Sequence, residues 1–480
     1  MNEFINAISG FLGNILFFDV LFGLVDGVSV PFLVAWLFFG AIFFTLKMGF
    51  VNVRFLKHSI DIIRGKYQNE NSKGLITPFQ SLTTALSATV GLGNIAGVAV
   101  AIMIGGAGAT FWMIVAGFFS MTLKFTEVTL SLQHRTFLPD GTVMGGGMRY
   151  LSEGLKEKGL GTLGKVLATI FAIFMIGGAL GGGNAFQVSQ SLGAVKGQIS
   201  LFVDYPWAFG LILALLVGAV ILGGVKSIAN TTEKIVPTMV FIYVTASLYI
   251  LVVNFSLIPD AIVLIVSEAF NPTAVGGGVL GVMVQGFKRA AFSSEAGLGS
   301  APIAHAPAKV EYPVQQGLVA LYEPFIDTIV VCTMTALVIV TTGVYAGGTS
   351  ELAAIIEAKQ GAALTSAAYA TIISWFPTIL AISVTLFAFS TMISWFYYGE
   401  RAWSYIFGGR SSILFKVIFL ICIILASTVQ NLGNLINLSD MLMLGMALPN
   451  LIGLYLLGGN VKKALNEYTK KLKAGELNSM

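Results

Sequence analysis

Apolar residues run along this chain in long unbroken blocks, not in the alternation of a half-buried strand or the one-sided stripe of a soluble helix. A helix needs roughly 20 such residues to cross the hydrocarbon core of a bilayer. Blocks of that length predict about eleven transmembrane helices, over 29–50, 78–104, 108–134, 164–193, 205–223, 236–254, 276–305, 318–342, 368–400, 411–428 and 434–457. The first 25 residues are also apolar, but Asn14 and Asp19 interrupt them and predict an interfacial or re-entrant segment instead of a twelfth span.

The polar stretches between blocks are unequal in charge. Arg54, Lys57, Arg64, Lys66 and Lys73 lie in the connection 51–77, Arg135, Arg149, Lys156 and Lys158 follow the third block, and Lys462, Lys463, Lys470, Lys471 and Lys473 fill the tail. The alternate connections hold little beyond Lys196 and Lys359 and carry Asp204, Asp260, Glu268, Glu351 and Glu357. Basic residues stay cytoplasmic, so the N-terminus is expected outside and the C-terminus in the cytoplasm, which an odd number of spans satisfies. No basic stretch and cleavage site of a signal peptide opens the chain, so its start is expected to stay in the mature protein.

Composition agrees with lipid as the main solvent. The chain is 56% hydrophobic and 10% charged, against about 25% charged in soluble domains. A net charge of +4, with dispersed carriers, argues against a nucleic-acid partner. Cys332 and Cys422 stand far apart inside apolar runs and read as small hydrophobes, while His58, His134 and His305 have no ligand-like spacing.

Glycine is the informative excess, at 55 residues. Two clusters combine Gly-x-Gly with small hydroxyl or amide residues at membrane depth: Ser87-Ala88-Thr89-Val90-Gly91-Leu92-Gly93-Asn94, and Phe292-Ser293-Ser294-Glu295-Ala296-Gly297-Leu298-Gly299-Ser300. Such clusters weaken a helix, and non-helical backbone there is tolerated only where protein or a water-lined cavity surrounds it. Close helix packing is the competing explanation for any single glycine pair. The clusters, however, open two halves of five spans each, and five being odd, the second half runs through the membrane in the opposite sense. That predicts an all-α polytopic membrane protein with two inverted five-helix repeats and discontinuous first helices. The expected organisation is 1–76 (N-terminal segment, extra helix and connection), 77–254 and 275–457 (the repeats), and 458–480 (a cytoplasmic tail). Half-helix N-termini suit a carboxylate, and freed carbonyls and hydroxyls suit a small cation or an ammonium group.

These same residues carry a family resemblance. Gly93-Asn94-Ile95-Ala96-Gly97-Val98-Ala99, Gly105-Gly106-Ala107-Gly108-Ala109-Thr110-Phe111-Trp112-Met113, Lys124-Phe125-Thr126-Glu127, Gly181-Gly182-Gly183-Asn184 and Ala291-Phe292-Ser293-Ser294-Glu295-Ala296-Gly297 resemble the alanine/glycine:cation symporters, the sodium:alanine symporter family, over nearly the whole chain. Ile114 departs from the tryptophan usual there. The resemblance implies a LeuT-type core with one helix ahead of it, in the plasma membrane, importing alanine or glycine with Na+ as coupling ion.

It also implies roles for residues. The substrate carboxylate would meet the N–H groups of Leu92 and Gly93, and its ammonium the carbonyls of Thr89, Phe292 and Ser293. One sodium site would use carbonyls of Ser87, Val90 and Ala388 with the hydroxyl of Thr391, or of Ser390. A second would draw on Asn94 and Ser293.

Other side chains are read from their own chemistry. Gln187 offers an amide to the site or to a neighbouring helix, and Met392 and Trp395, three apart on one face, either cap a pocket sized for a methyl group or simply pack. Lys124 and Glu127 are expected to neutralise each other, Glu323 and Asp327 to receive Lys288 or Arg289 or to share a proton between them, and Glu295 to anchor structure in preference to touching substrate. A serine enzyme built on Ser293 or Ser294 lacks a nearby base, and a channel lacks a repeated filter loop. Proton or lithium coupling, another small solute, and the preference between alanine and glycine stay open, and nothing calls for a second chain.

Overall fold

A computed structural model describes residues 10–24, 29–68, 72–139, 141–271, 278–357, 359–428, 438 and 441–477. Parts of the N-terminal segment (1–9 and 25–28), the first residues of the predicted seventh and eleventh spans (276–277, 434–437, 439 and 440) and the end of the tail (478–480) lie outside the described residues.

The described chain is almost wholly helical, with one two-stranded antiparallel hairpin, Thr136–Phe137 against Val143–Met144. Its principal helices are α1 (Phe32–Met48), α2 (Leu56–Ile63), α3 (Pro78–Thr89), α4 (Val98–Gly105), α5 (Ala109–Gln133), α6 (Gly161–Leu180), α7 (Phe186–Lys196), α8 (Pro206–Ile221), α9 (Gly224–Val253) and α10 (Ile258–Ala269). They continue with α11 (Gly278–Ser294), α12 (Ala301–His305), α13 (Pro313–Ala320), α14 (Thr333–Thr342), α15 (Gly361–Ala370), α16 (Phe376–Phe407), α17 (Ser412–Thr428) and α18 (Ala447–Ala474). Among the described residues seven helices are long and apolar enough to cross a membrane, and α3 with the helix after it adds an eighth candidate bent by 50°; α1 and α8 are shorter apolar helices. The protein is a polytopic membrane protein.

Local chemistry explains where the important helices begin and stop. At the start of α3 the Thr77 hydroxyl accepts the Gln80 N–H (3.1 Å) and the Gln80 carbonyl oxygen accepts the Thr77 N–H (3.0 Å), with Pro78 in the first turn. The helix stops at Val90, whose backbone is extended (φ −74°, ψ 102°), and resumes as a wide π-helical turn over Gly93–Gly97. The second cluster ends α11 at Ser294 and leaves residues 295–300 irregular before α12.

Several boundaries differ from the hydropathy blocks. The predicted ninth span divides into α15 and the 32-residue α16, which passes Glu400 and Arg401; those two pair at 2.9 Å, so the charges do not end the helix. The amphipathic α10, at 12 residues, is too short to span and so has no hydropathy block of its own. At the centre lies α5, buried along most of its length. A methyl on Gly317 would fall 2.1 Å from Thr129 Oγ1, and one on Gly286 2.6 Å from the Ala109 carbonyl, so α13 and α11 approach α5 to backbone distance.

Candidate binding site at the helix breaks

The two breaks, about 200 residues apart in sequence, meet. A methyl on Gly93 would lie 3.4 Å from Ser293 Cα, and the Asn94 amide nitrogen is 3.2 Å from Ser293 Oγ. Leu92 caps the helix that resumes after the first break and Gly93 is its first residue, so their N–H groups stand at a positive helix end with no intrahelical acceptor. Thr89, Phe292 and Ser293 lie in the last turns of α3 and α11, where carbonyls lack intrahelical donors. A positive and two negative helix ends therefore converge, a layout matched to a carboxylate and an ammonium group.

Asn94 and Asp327 organise this meeting. The Asn94 side-chain oxygen Oδ1 accepts the Gly91 N–H (2.7 Å), and its side-chain nitrogen donates to Asp327 Oδ1 (2.7 Å) and to the Asp327 backbone carbonyl (3.0 Å). The Ser293 and Thr328 hydroxyls donate to Asp327 Oδ2 at 2.7 and 2.8 Å, and Cys332 Sγ lies 3.4 Å from Ser293 Oγ. Asp327 thus faces neutral donors from both breaks, not the lysine or arginine expected from sequence. Its immediate surroundings are the reason: it sits in the π-helical stretch Phe325–Cys332, turned towards Asn94 and Ser293.

Oxygen atoms also gather where α3 meets α16. The Thr391 hydroxyl donates to the Ser87 carbonyl (3.0 Å), Ser87 donates to the Ser390 carbonyl (2.6 Å), and Ser394 donates to the Thr84 carbonyl (2.9 Å). Gly91 leaves room there, since a methyl on it would be 3.1 Å from Thr391 Oγ1. Neutral, buried hydroxyls and carbonyls beside a helix end form a donor set suited to a small monovalent cation. Val90 caps α3 and Ala388 is buried on α16, one turn before Thr391.

The remaining predicted residues, Gln187, Met392 and Trp395, lie on and beside the π-helical turn Gly181–Ala185 and on α16. Gln187 follows the π-helical turn Gly181–Ala185; its amide nitrogen donates to the Gly182 carbonyl (3.0 Å), while its buried carbonyl oxygen has no partner among the described residues. Trp395 lies against Gly183, and its indole N–H donates to Glu295 Oε1 (3.1 Å). Met392 is fully buried on α16, one turn before Trp395.

The expected Lys124–Glu127 pairing is corrected. Lys124 pairs with Glu323 at 3.2 Å, and His305 reaches the same carboxylate at 2.6 Å while its other nitrogen meets Gln316 (2.6 Å). Glu127 accepts instead from Asn450 (2.6 Å) and from the Gly299 N–H (3.1 Å). Asn450 also donates to the Gly297 carbonyl (2.8 Å) and accepts from the Tyr150 hydroxyl. Sequence reasoning missed this hub, although an asparagine inside an apolar block was a usable signal. Tyr150 lies outside every block and gave none.

Comparison with known proteins decides what kind of molecule carries this site. The sequence profile of the sodium:alanine symporter family matches residues 17–480. The chain belongs to that family. Relatives in it include the sodium/alanine symporter AgcS of Methanococcus maripaludis, 42% identical over 92% of this chain and 95% of that protein. The probable sodium/glutamine symporter GlnT of Bacillus subtilis is 33% identical over 91% and 87%, and the amino-acid carrier protein AlsT of the same organism is 32% identical over 99% and 93%. As a sodium:alanine symporter family member the chain is a transporter, which points away from an enzyme.

Proposed function

We propose that this protein is a sodium-coupled symporter that imports small neutral amino acids, alanine or glycine, by alternating access through a LeuT-type core of two inverted repeats. The observation that carries the reading is the contact between the two helix breaks, at Gly93, Asn94 and Ser293. Broken helices that meet at membrane depth offer opposite helix ends to a zwitterion.

In this reading the substrate carboxylate takes the N–H groups of Leu92 and Gly93, and the ammonium takes carbonyls of Thr89, Phe292 and Ser293. Gln187 adds its unpaired amide oxygen, and Met392 and Trp395 close the side that faces the substrate's methyl group. Sodium is held by the carbonyls of Ser87, Val90 and Ala388 with the Thr391 hydroxyl, Ser390 standing beside them; Asn94 and Ser293 belong to a second ion position. The ion supplies positive charge between α3 and α16, and so favours the state in which these helices are closed together. Coupling follows because ion and substrate stabilise one shared state, each raising the affinity of the other. The N-terminus is then extracytoplasmic and the C-terminal tail cytoplasmic, and the chain works as a monomer.

A second reading, a larger amide substrate, takes its interest from the printed name of the Bacillus subtilis relative. The close seating of Trp395 on Gly183 favours the smaller substrate. Labelled alanine and glutamine offered in parallel to proteoliposomes under a sodium gradient separate the two: alanine uptake that glutamine fails to inhibit supports the first reading, and the reverse overturns it.

A further inference from the structure

The indole of Trp395 is held from two directions. On one side Gly183 lacks the side chain that would displace it: a methyl there would lie 2.3 Å from Trp395 Cβ and 2.4 Å from Cγ. On the other, the indole N–H is held at 3.1 Å by Glu295, which comes from the second helix break. Glu295 is fixed in turn, its second oxygen accepting the Ser300 hydroxyl at 2.6 Å. Its backbone adopts φ +52°, a conformation that costs a non-glycine residue energy and persists only where the surroundings over-determine it. That left-handed residue follows the last residue of α11, its N–H still donating to the Ala291 carbonyl at 3.1 Å. Here it delivers an acceptor to one particular indole, two residues beyond Ser293 and across from the glycine turn that leads to Gln187.

We infer that Glu295 is a positioning residue for substrate size: by fixing the Trp395 indole it sets the depth of the pocket that receives the amino acid's side chain. The inference rests on the proposed alanine-site reading and adds a residue that does not itself touch substrate. Its requirement is for an acceptor at Oε1, not for a negative charge. Glutamine at 295 keeps that acceptor and alanine removes it, so the two substitutions separate.

The test is competition of amino acids against labelled alanine in proteoliposomes holding the full chain, using glycine, 2-aminobutyrate and leucine as side chains of increasing size. The measured quantity is each competitor's half-inhibitory concentration relative to that of unlabelled alanine. Glu295→Ala is expected to improve 2-aminobutyrate relative to alanine by about tenfold, the scale of one methylene in a fitted pocket. Glu295→Gln is expected to keep the wild-type ratio. Gly183→Ala, which pushes the indole from the opposite side with Glu295 intact, is expected to change the ratio as well and serves as the independent variant if Glu295→Ala does not fold. A merely structural role would lower uptake of all substrates together and leave the ratios alone. Unchanged ratios in Glu295→Ala or Gly183→Ala, or Glu295→Gln behaving like Glu295→Ala, would overturn the inference. Wild-type protein that takes up no alanine would instead sink the functional reading beneath it.

Discussion

In the proposed assignment, Thr391 and Gln187 are the residues at which ion and substrate can be told apart. Thr391 reaches the Ser87 carbonyl across the α3–α16 contact, and Gln187 keeps a buried amide oxygen without a partner. A hydrogen bond or ligand of this kind contributes on the order of 1 kcal/mol, which is up to about tenfold in affinity. Thr391→Ala is expected to raise the sodium concentration for half-maximal uptake by up to about tenfold. Gln187→Ala should do the same for alanine. Identical shifts in both variants and both ligands would contradict the assignment. The Lys124–Glu323 pair behaves differently because both groups are fully buried. Lys124→Met leaves the buried Glu323 carboxylate with His305 as its remaining partner and is expected to cost up to about 3–5 kcal/mol of stability, whereas Lys124→Met with Glu323→Gln should recover part of it. Unfolding in detergent, followed for both variants, checks the difference.

Among the helices, the second break is braced from α5, α16 and α18. Glu295 holds Trp395 of α16, while Asn450 of α18 ties the Gly297 carbonyl to Glu127 of α5. Asn450→Leu removes those bonds and leaves buried polar groups unsatisfied, at about 1–3 kcal/mol each. A clear drop in thermal unfolding temperature is expected, and an unchanged one would show that the hub is not supporting the break. Both breaks were legible in the sequence because Gly-x-Gly beside hydroxyl residues has no ordinary place in an apolar block. Asn94 stands in the first of those clusters, whereas Thr391 was reached only through the family resemblance. Charge pairing was less legible: spacing on one helix suggested Lys124–Glu127, but Glu323, on a helix distant in sequence, lies closer and wins. Asp327 was similarly displaced from a basic partner to Asn94 and Ser293. The π-helical turns leave no hydropathy signal, since they change the rotation of side chains without changing their polarity.

Over the whole molecule, α18 continues from Asn450 at the second break to a basic tail, where Tyr468 meets His58 of α2 at 2.8 Å and Lys471 meets the Tyr312 hydroxyl at 3.1 Å. Burial holds the His58 imidazole below its ordinary value of 6.5. The docked tail therefore favours neutral histidine, so docking is complete above about pH 6.5 and weakens as pH falls below it. A spin label at Lys473→Cys is expected to gain mobility between about pH 7.5 and about pH 5.5. With His58→Gln the label should show no such change, and equal responses in both would refute the link. A reporter fused to the C-terminus is expected to be cytoplasmic, because the basic connections and the tail share one side. All of these features serve one claim, that sodium and a small neutral amino acid share a site at the meeting of two broken helices. The measurement that tests it most directly is uptake of labelled alanine into proteoliposomes under an imposed inward sodium gradient, compared with equal gradients of potassium or protons. Accumulation driven by sodium alone is the predicted result; uptake indifferent to sodium would contradict it.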